Sequence, residues 1–360
     1  MEQEKVSVII PVHNGADKLE KTVTQILNQS YQNIEVILVE NFSVDNSLEV
    51  CNSLAKKDNR VKVLQSFDKG TTYARKKGIL SATGNYITFS DQDDSYINKY
   101  SIEKMYNTIK KDNVQICQFA YYVNHGFGIK RKMCFCDEDK ILPYDEFIQT
   151  EFKGLFEYYI TAMNANVWTK IYQADIIKKS ALKVNKSLFS AEDLYLNLLT
   201  YTTDGIEKVS FHTDAYYVWN LETGFSSSDS GNERLYFERN INRIMALGFV
   251  EQYHMDSGIT YALNYNTLFS YRERIGLMIN KKIDKETILE RISKYETYEF
   301  IRVAKDYFHS LDKSKYDEVI AFMISDYSPE QLYDYCDKTK GKLKLLSRLH
   351  LSYQNIVKKK

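Results

Sequence analysis

Asp91-Gln-Asp-Asp94 sets three carboxylates within four residues. Such a cluster repels itself unless something positive lies among the side chains. Carboxylate oxygens are hard ligands that suit Mg²⁺ or Mn²⁺, cations that keep coordination positions open for phosphate oxygens and water. A solvated acidic turn has the same composition, so the surroundings must choose between the two. Glu192-Asp193 is a second acidic pair, at the head of a helical pattern through Leu194, Leu198 and Leu199, where acid also stabilises the helix dipole. His212, in Ser210-Phe-His-Thr-Asp214, could complete a metal shell, but a lone histidine near a strand is more often packed or hydrogen-bonded. The five cysteines, Cys51, Cys117, Cys134, Cys136 and Cys336, form no C-x-x-C pair and no repeated ligand spacing, which points to reduced thiols of a cytosolic protein.

The first 95 residues explain how the acidic turn would be positioned. Val6–Ile10, Ile34–Val39, Val61–Leu64 and Tyr86–Phe89 are short apolar runs, rich in β-branched residues, of the kind buried on both faces of a sheet. Between them lie helical patterns. One carries Leu19, Val23, Ile26 and Leu27; a second carries Leu48, Cys51 and Leu54 behind Ser43 or Asp45 as a cap; a third runs from Thr71 to Ala82 with Gly84 as its stop. Four such units imply a parallel sheet with right-handed crossovers and helices on both faces. Ligands bind such sheets outside the carboxyl ends of the strands, so Pro11–Asn14, Glu40–Asp45 and Asp91–Asp94 share one rim.

Beyond residue 96 the pattern is more mixed. A helix over Lys99–Lys111 precedes a strand over Gln115–Tyr122, an exposed charged loop or hairpin spans Asn124–Lys140, and strand character returns at Val209–Trp219. From Asn232 onward the pattern is helical almost throughout. Lys plus Arg equals Asp plus Glu, 48 against 48, so no global charge favours nucleic acid as a partner. No run of about 18 uncharged apolar residues could span a bilayer.

The ordered segments VSVIIPVHN, ILNQSYQNIEVILVENFSVDNS and ARKKGILSATGNYITFSDQDD resemble the opening of family-two glycosyltransferases with the GT-A fold. That family shows P-x-Y-N, V-D-D-G-S-T-D, A-R-N-x-G and D-x-D-D in the same order. The resemblance implies an α/β fold: a GT-A-type mostly parallel sheet flanked by helices, with a Rossmann-like nucleotide-binding half over 1–98, an acceptor-side half over 99–230, and a helical C-terminal module over 231–360. It implies a nucleotide-sugar donor, UDP-linked, contacted by Pro11, His13, Asn14, Glu40, Asn41, Ser43, Arg75, Asp91 and Gln92. Arg75 would approach phosphate or ribose. Asp93 would be the direct ligand of Mn²⁺ or Mg²⁺, with Asp91 joining it or holding ribose, and Asp94 would support that shell or face the sugar. Asn41, Phe42 and Lys76 depart from the family's acidic residue, glycine and asparagine. An amide can still accept from uracil, Phe42 changes the turn or adds a stacking surface, and Lys76 adds charge near the phosphates.

Asn166-Val-Trp-Thr-Lys-Ile-Tyr172 and Ser190-Ala-Glu-Asp-Leu-Tyr195 resemble W-N-K-L-Y and E-D-L-x-F of family members acting on surface polysaccharides and glycoproteins. The resemblance makes Asp193, or Glu192 in a shifted register, the base that takes the acceptor proton during inverting transfer to a glycan, glycolipid or glycoprotein hydroxyl. The competing reading is a GT-A module that binds a nucleotide or protein partner without turnover. A nucleotidylyltransferase fits poorly, because the loop after the first strand has no lysine or arginine before Lys18. Trp168, Tyr217 and Trp219 could stack on sugar faces, although such rings also bury readily in a core. At the C-terminus, Leu343, Leu346, Leu349 and Tyr353 share a helical face beside basic residues, a pattern for peripheral contact with the inner face of an anionic membrane by a cytoplasmic enzyme.

Overall fold

The computed structural model describes residues 3–66, 68–124, 130–152, 165–186, 188, 191–220, 233–254, 257–315 and 317–339. The chain divides into two compact units, 1–227 and 228–360. In the first, β1 (Val6–Val12), α1 (Leu19–Leu27), β2 (Ile34–Glu40), α2 (Ser47–Lys57), β3 (Val61–Gln65), α3 (Thr71–Ser81) and β4 (Tyr86–Phe89) form the expected alternating run. β1 pairs in parallel with both β2 and β4, and β2 with β3. Val6, Val8, Ile9 and Ile10 are fully buried, because helices cover both faces of the central strand.

The second half of this unit breaks the parallel pattern. It contains β5 (Ser95–Tyr96), α4 (Ser101–Asp112), β6 (Ile116–Asn124), β7 (Lys130–Met133), β8 (Lys140–Pro143), α5 (Tyr144–Phe147), β9 (Lys170–Gln173), α6 (Ala174–Lys183), α7 (Glu192–Tyr201) and β10 (Lys208–Asn220). The sheet order is β3-β2-β1-β4-β9-β6-β10-β5, with β7 on β6 and β8 on β10. β9 runs antiparallel to both β4 and β6, whereas β10 is parallel to β6. This insertion brings the 166–172 segment beside the end of β4, a placement that local patterning does not encode.

Gly84 does not stop α3 by taking a left-handed conformation; the helix already ends at Ser81, with Ala82 extended. Gly84 is instead packed so closely that an added Cβ would lie 2.6 Å from Ser7 Oγ. Its N–H donates to Ser7 Oγ and to Glu35 Oε1. Glu35 is the hub of this corner, accepting also from Ser7 Oγ (2.6 Å), Thr83 N (2.6 Å) and Lys62 Nζ (2.6 Å). Burial alone would raise its pKa, but the bonds from Lys62, Ser7 and Thr83 outweigh burial and hold it at about 2, below the ordinary 4.5. A depressed carboxylate stabilises the fold above its unfolded pKa and loses that contribution as pH falls through the folded one. Glu35→Gln is therefore expected to lower stability by up to about 3 kcal/mol at pH 7. Urea unfolding at pH 7 and pH 3 checks this, the gap to wild type narrowing at the lower pH.

The second unit is helical: α8 (Glu233–Gln252), α9 (Ser257–Asn280), α10 (Lys285–Glu296), α11 (Glu299–His309), α12 (Glu318–Met323) and α13 (Pro329–Thr339). Leu268, Tyr271, Ile275, Ile292, Ile301 and Phe308 centre its core. Asp284 and Asp317 cap α10 and α12 by accepting from Thr287 N and Ile320 N. The basic amphipathic segment over 340–360, with its expected membrane contact, lies outside the described residues. Among the described residues no helix is long and apolar enough to cross a membrane.

Candidate active site

The loops after β1, β2 and β4 meet at the carboxyl rim, held together by their own polar side chains. His13 N donates to Gln92 Oε1 and Gln92 Nε2 donates to the His13 carbonyl, both at 2.9 Å. Gln92, expected to contact the donor, is therefore a clamp between the β1 and β4 loops. An added Cβ on Gly15 would sit 2.3 Å from Gln92 Oε1, which gives the glycine of His13-Asn-Gly15 its role. Asn14 N donates to Ser43 Oγ, Val44 N to Asn14 Oδ1, and Ser43 N to Glu40 Oε1. The N-cap of α2 is Asn46, with no side-chain cap bond, and not Ser43 or Asp45; Asp45 accepts from Ser47 N just before the helix.

Asn41 lies 3% exposed, and its Oδ1 accepts from Gly70 N at 3.1 Å. The oxygen that was to read the nucleobase is thus engaged with backbone. Phe42 has φ 57°, a left-handed conformation that favours glycine, and its side chain is 47% exposed. Pro11 lies within β1, opposite Val39 of β2. Lys76 does not stand at the rim as an added positive charge; its Nζ donates to the Val184 carbonyl at 2.7 Å.

The acidic turn is anchored from a distance in sequence. Tyr217 OH accepts from Asp91 N and donates to Asp94 Oδ2, each at 2.9 Å. Asn220 N donates to Asp94 Oδ1 and Asn220 Nδ2 to the Asp93 carbonyl. Thr22 Oγ1 reaches the carbonyls of Gln92 and Asp94. Asp94 is 3% exposed, and burial, then the charge of Asp91, pushes its carboxyl well up. It supports the turn and does not face outward. Asp93 lines an open cleft of about 620 Å³ shared with Lys18, Lys21, Asn124, Lys130 and Asn220.

Arg75 joins the two acidic motifs. Its guanidinium lies 3.2 Å from Asp91 Oδ1, 3.1 Å from Glu192 Oε1 and 2.5 Å from Asp193 Oδ1. Only 3% of the side chain is exposed, and its partners are these carboxylates. Burial would discharge it, but Asp193, Glu192 and Asp91 outweigh burial and keep it protonated. Burial raises Asp91 to about 6 despite Arg75, with Asp193 and Asp93 adding to the rise. Glu192 is lifted to about 7, by burial first and Asp193 second. Ala191, at φ 55°, makes the tight entry into α7 that presents Glu192 and Asp193. Val167 N donates to Asp193 Oδ2 at 3.3 Å.

Arg75→Met takes from these carboxylates the buried cation that pairs with all three, and a loss of about 3 kcal/mol of stability is expected at pH 7. In guanidinium unfolding that loss should shrink towards pH 5, as protons replace the guanidinium.

Sequence reasoning missed Tyr217 and Asn220 as anchors, and no local signal marks them. Trp168 is 4% exposed and stacks on Tyr217, so these two rings are core. His212 is not part of the site. Its Nε2 pairs with Asp112 and its Nδ1 with Asp139, at 2.7 and 2.9 Å. On β10 it pairs with Phe119 while Asn220 pairs with Asn124, so about 17 Å of strand separates it from the acidic turn's anchor. Cys134 Sγ donates to the Cys136 carbonyl, and all five thiols are free.

The donor set fits a divalent cation. Asp91 and Asp93 carry hard carboxylate oxygens of the kind such a cation takes, Asp93 on the cleft and Asp91 raised by burial first and then by Asp193 and Asp93.

A mostly parallel, Rossmann-like sheet with flanking helices and a carboxylate turn after its fourth strand defines the GT-A class of fold. The profile of Glycosyl transferase family 2 matches residues 7–181, and this segment belongs to that family. It is 30% identical over 224 residues to glycosyltransferase GlyA of Streptococcus pneumoniae, covering 61% of this chain and 31% of the relative. It is also 30% identical to the cholesterol galactosyltransferase of Borreliella burgdorferi, over 62% of each. The chain thus spans less than two thirds of these relatives' lengths. In fold it is similar to Staphylococcus aureus TarS 1–349 in complex with UDP-GlcNAc, with TM-score 0.65 and 19% identity over 94% of this chain and 92% of that one.

Proposed function

We propose that this protein transfers a sugar from a nucleoside-diphosphate sugar, UDP-linked, to a hydroxyl of a glycan, glycolipid or glycoprotein, with inversion and dependence on Mn²⁺ or Mg²⁺. The observation that carries this reading is the convergence of Asp91, Glu192 and Asp193 on Arg75 beside the cleft-lining Asp93. Family membership and the fold shared with TarS, a protein seen with UDP-GlcNAc, support it. Asp93 and Asp91 would hold the cation, which supplies positive charge against the diphosphate leaving group.

The chain's own residues do the rest. The acceptor hydroxyl forms the new bond to the anomeric carbon as the bond from that carbon to the diphosphate oxygen breaks, and the hydroxyl proton passes to Asp193. Arg75 and Val167 N–H fix that carboxylate at both oxygens. The interlocked His13, Asn14, Glu40, Asn41 and Ser43 shape the nucleoside end of the rim.

The test is a panel of nucleoside-diphosphate sugars, each assayed for nucleotide release with Mn²⁺ and with a chelator. Metal-dependent release from one or a few UDP-sugars is expected. Tight UDP binding by calorimetry, with no release from any donor and no transfer to any acceptor, would instead identify a binding module.

A further inference from the structure

Lys170 is fully buried, in the middle of the sheet and in none of the roles assigned so far. Its Nζ donates to the Asn166 carbonyl, and its own N–H donates to the Val167 carbonyl at 3.2 Å. Thr169 Oγ1 also donates to Asn166 O, so the 166–170 turn closes on itself through three bonds. Neighbouring strands hold the turn in turn: Phe119 N donates to Thr169 O, and Thr88 Oγ1 to Lys170 O. The projecting group of this turn is Val167 N–H, the donor to Asp193 Oδ2.

We infer that Lys170 is a positioning residue for the base: its ammonium closes the turn that seats Asp193 and sets a second positive charge, besides Arg75, against that carboxylate. The inference rests on Asp193 being the base of the proposed reaction. The groups facing Asp193 are Arg75 from α3, Asp91 after β4, Glu192 from α7, and Lys170 and Tyr172 from β9. Among the described residues Arg75 pairs with Asp91, Glu192 and Asp193, and Lys170 acts on Asp193. Burial pulls the Lys170 ammonium down to about 7, and Asp193 is the charge that opposes this fall.

The test uses the full chain and the UDP-sugar that it turns over, comparing Lys170→Met, Lys170→Arg and Asp193→Asn. Lys170→Met keeps volume and removes charge. It is expected to lower kcat for UDP release about 10- to 100-fold, to leave the donor KM within about 2-fold, and to move the acid limb of the kcat–pH profile upward by about one pH unit. Lys170→Arg restores the position of that limb. UDP affinity, measured by calorimetry, reports whether the rim is intact. A Lys170→Met variant with wild-type kcat and pH profile overturns the inference. So does a kcat loss that follows a parallel loss of UDP binding and is not mended by arginine, because that marks a purely structural lysine. If Asp193→Asn is inactive while Lys170→Met is normal, only this inference fails; if Asp193→Asn is fully active, the base assignment fails first.

Discussion

Asp93→Ala is expected to lower metal-dependent UDP release by about 10³-fold or more, roughly 4 kcal/mol of transition-state stabilisation. The backbone of the acidic turn should survive, because Asn220 Nδ2 bonds the Asp93 carbonyl and Tyr217 and Asn220 hold Asp94. Stability without metal should be unchanged or higher, since Asp93 is one of the charges that raise Asp91 and Asp94. A site that needs repelling carboxylates trades stability for ligand binding. Thermal melts separate the two effects. Wild type should gain about 2.7 kcal/mol from Mn²⁺ at 100-fold its Kd, and Asp93→Ala should gain almost nothing. Full hydrolysis by the variant at saturating donor would remove Asp93 from the metal.

Asp193→Asn is the second large effect, a loss of about 10²- to 10⁴-fold in transfer with donor affinity retained. Asparagine can still accept from Val167 N–H through its oxygen but then turns its NH₂ toward Arg75, so one of the two contacts is kept while the basic group is lost. Glu192→Gln should be far milder, since burial already lifts Glu192 to about 7 and its bond to Arg75 survives in an amide oxygen. Measuring transfer and UDP binding together for both variants assigns the base. Unchanged turnover in Asp193→Asn would move the role to Glu192 or elsewhere.

Much of the rim was readable locally. Asp91–Asp94 follows a buried strand, and the β-branched runs ending at Val12, Glu40 and Phe89 place three loops together by the topology of parallel sheets alone. Less readable was what each rim residue does once placed. Gln92 and Asn41 carry polar groups that could face a ligand, yet their bonds to His13 and Gly70 span 79 and 29 residues. Lys76 adds positive charge near the expected phosphates in sequence, and its ammonium donates to a carbonyl 108 residues away.

The sequence by itself determined the alternating βα run, the acidic turn at a strand's carboxyl end, and the order of motifs that marks the family. These follow from hydrophobic period and short spacing, which act within a few turns of chain. Only the tertiary structure decided that β9 enters antiparallel between β4 and β6, that Arg75 gathers Asp91, Glu192 and Asp193, and that Tyr217 and Asn220 pin the turn from 123 to 127 residues away. Strand order and charge pairing are settled by which buried groups satisfy one another, a condition on the whole fold that no local pattern carries.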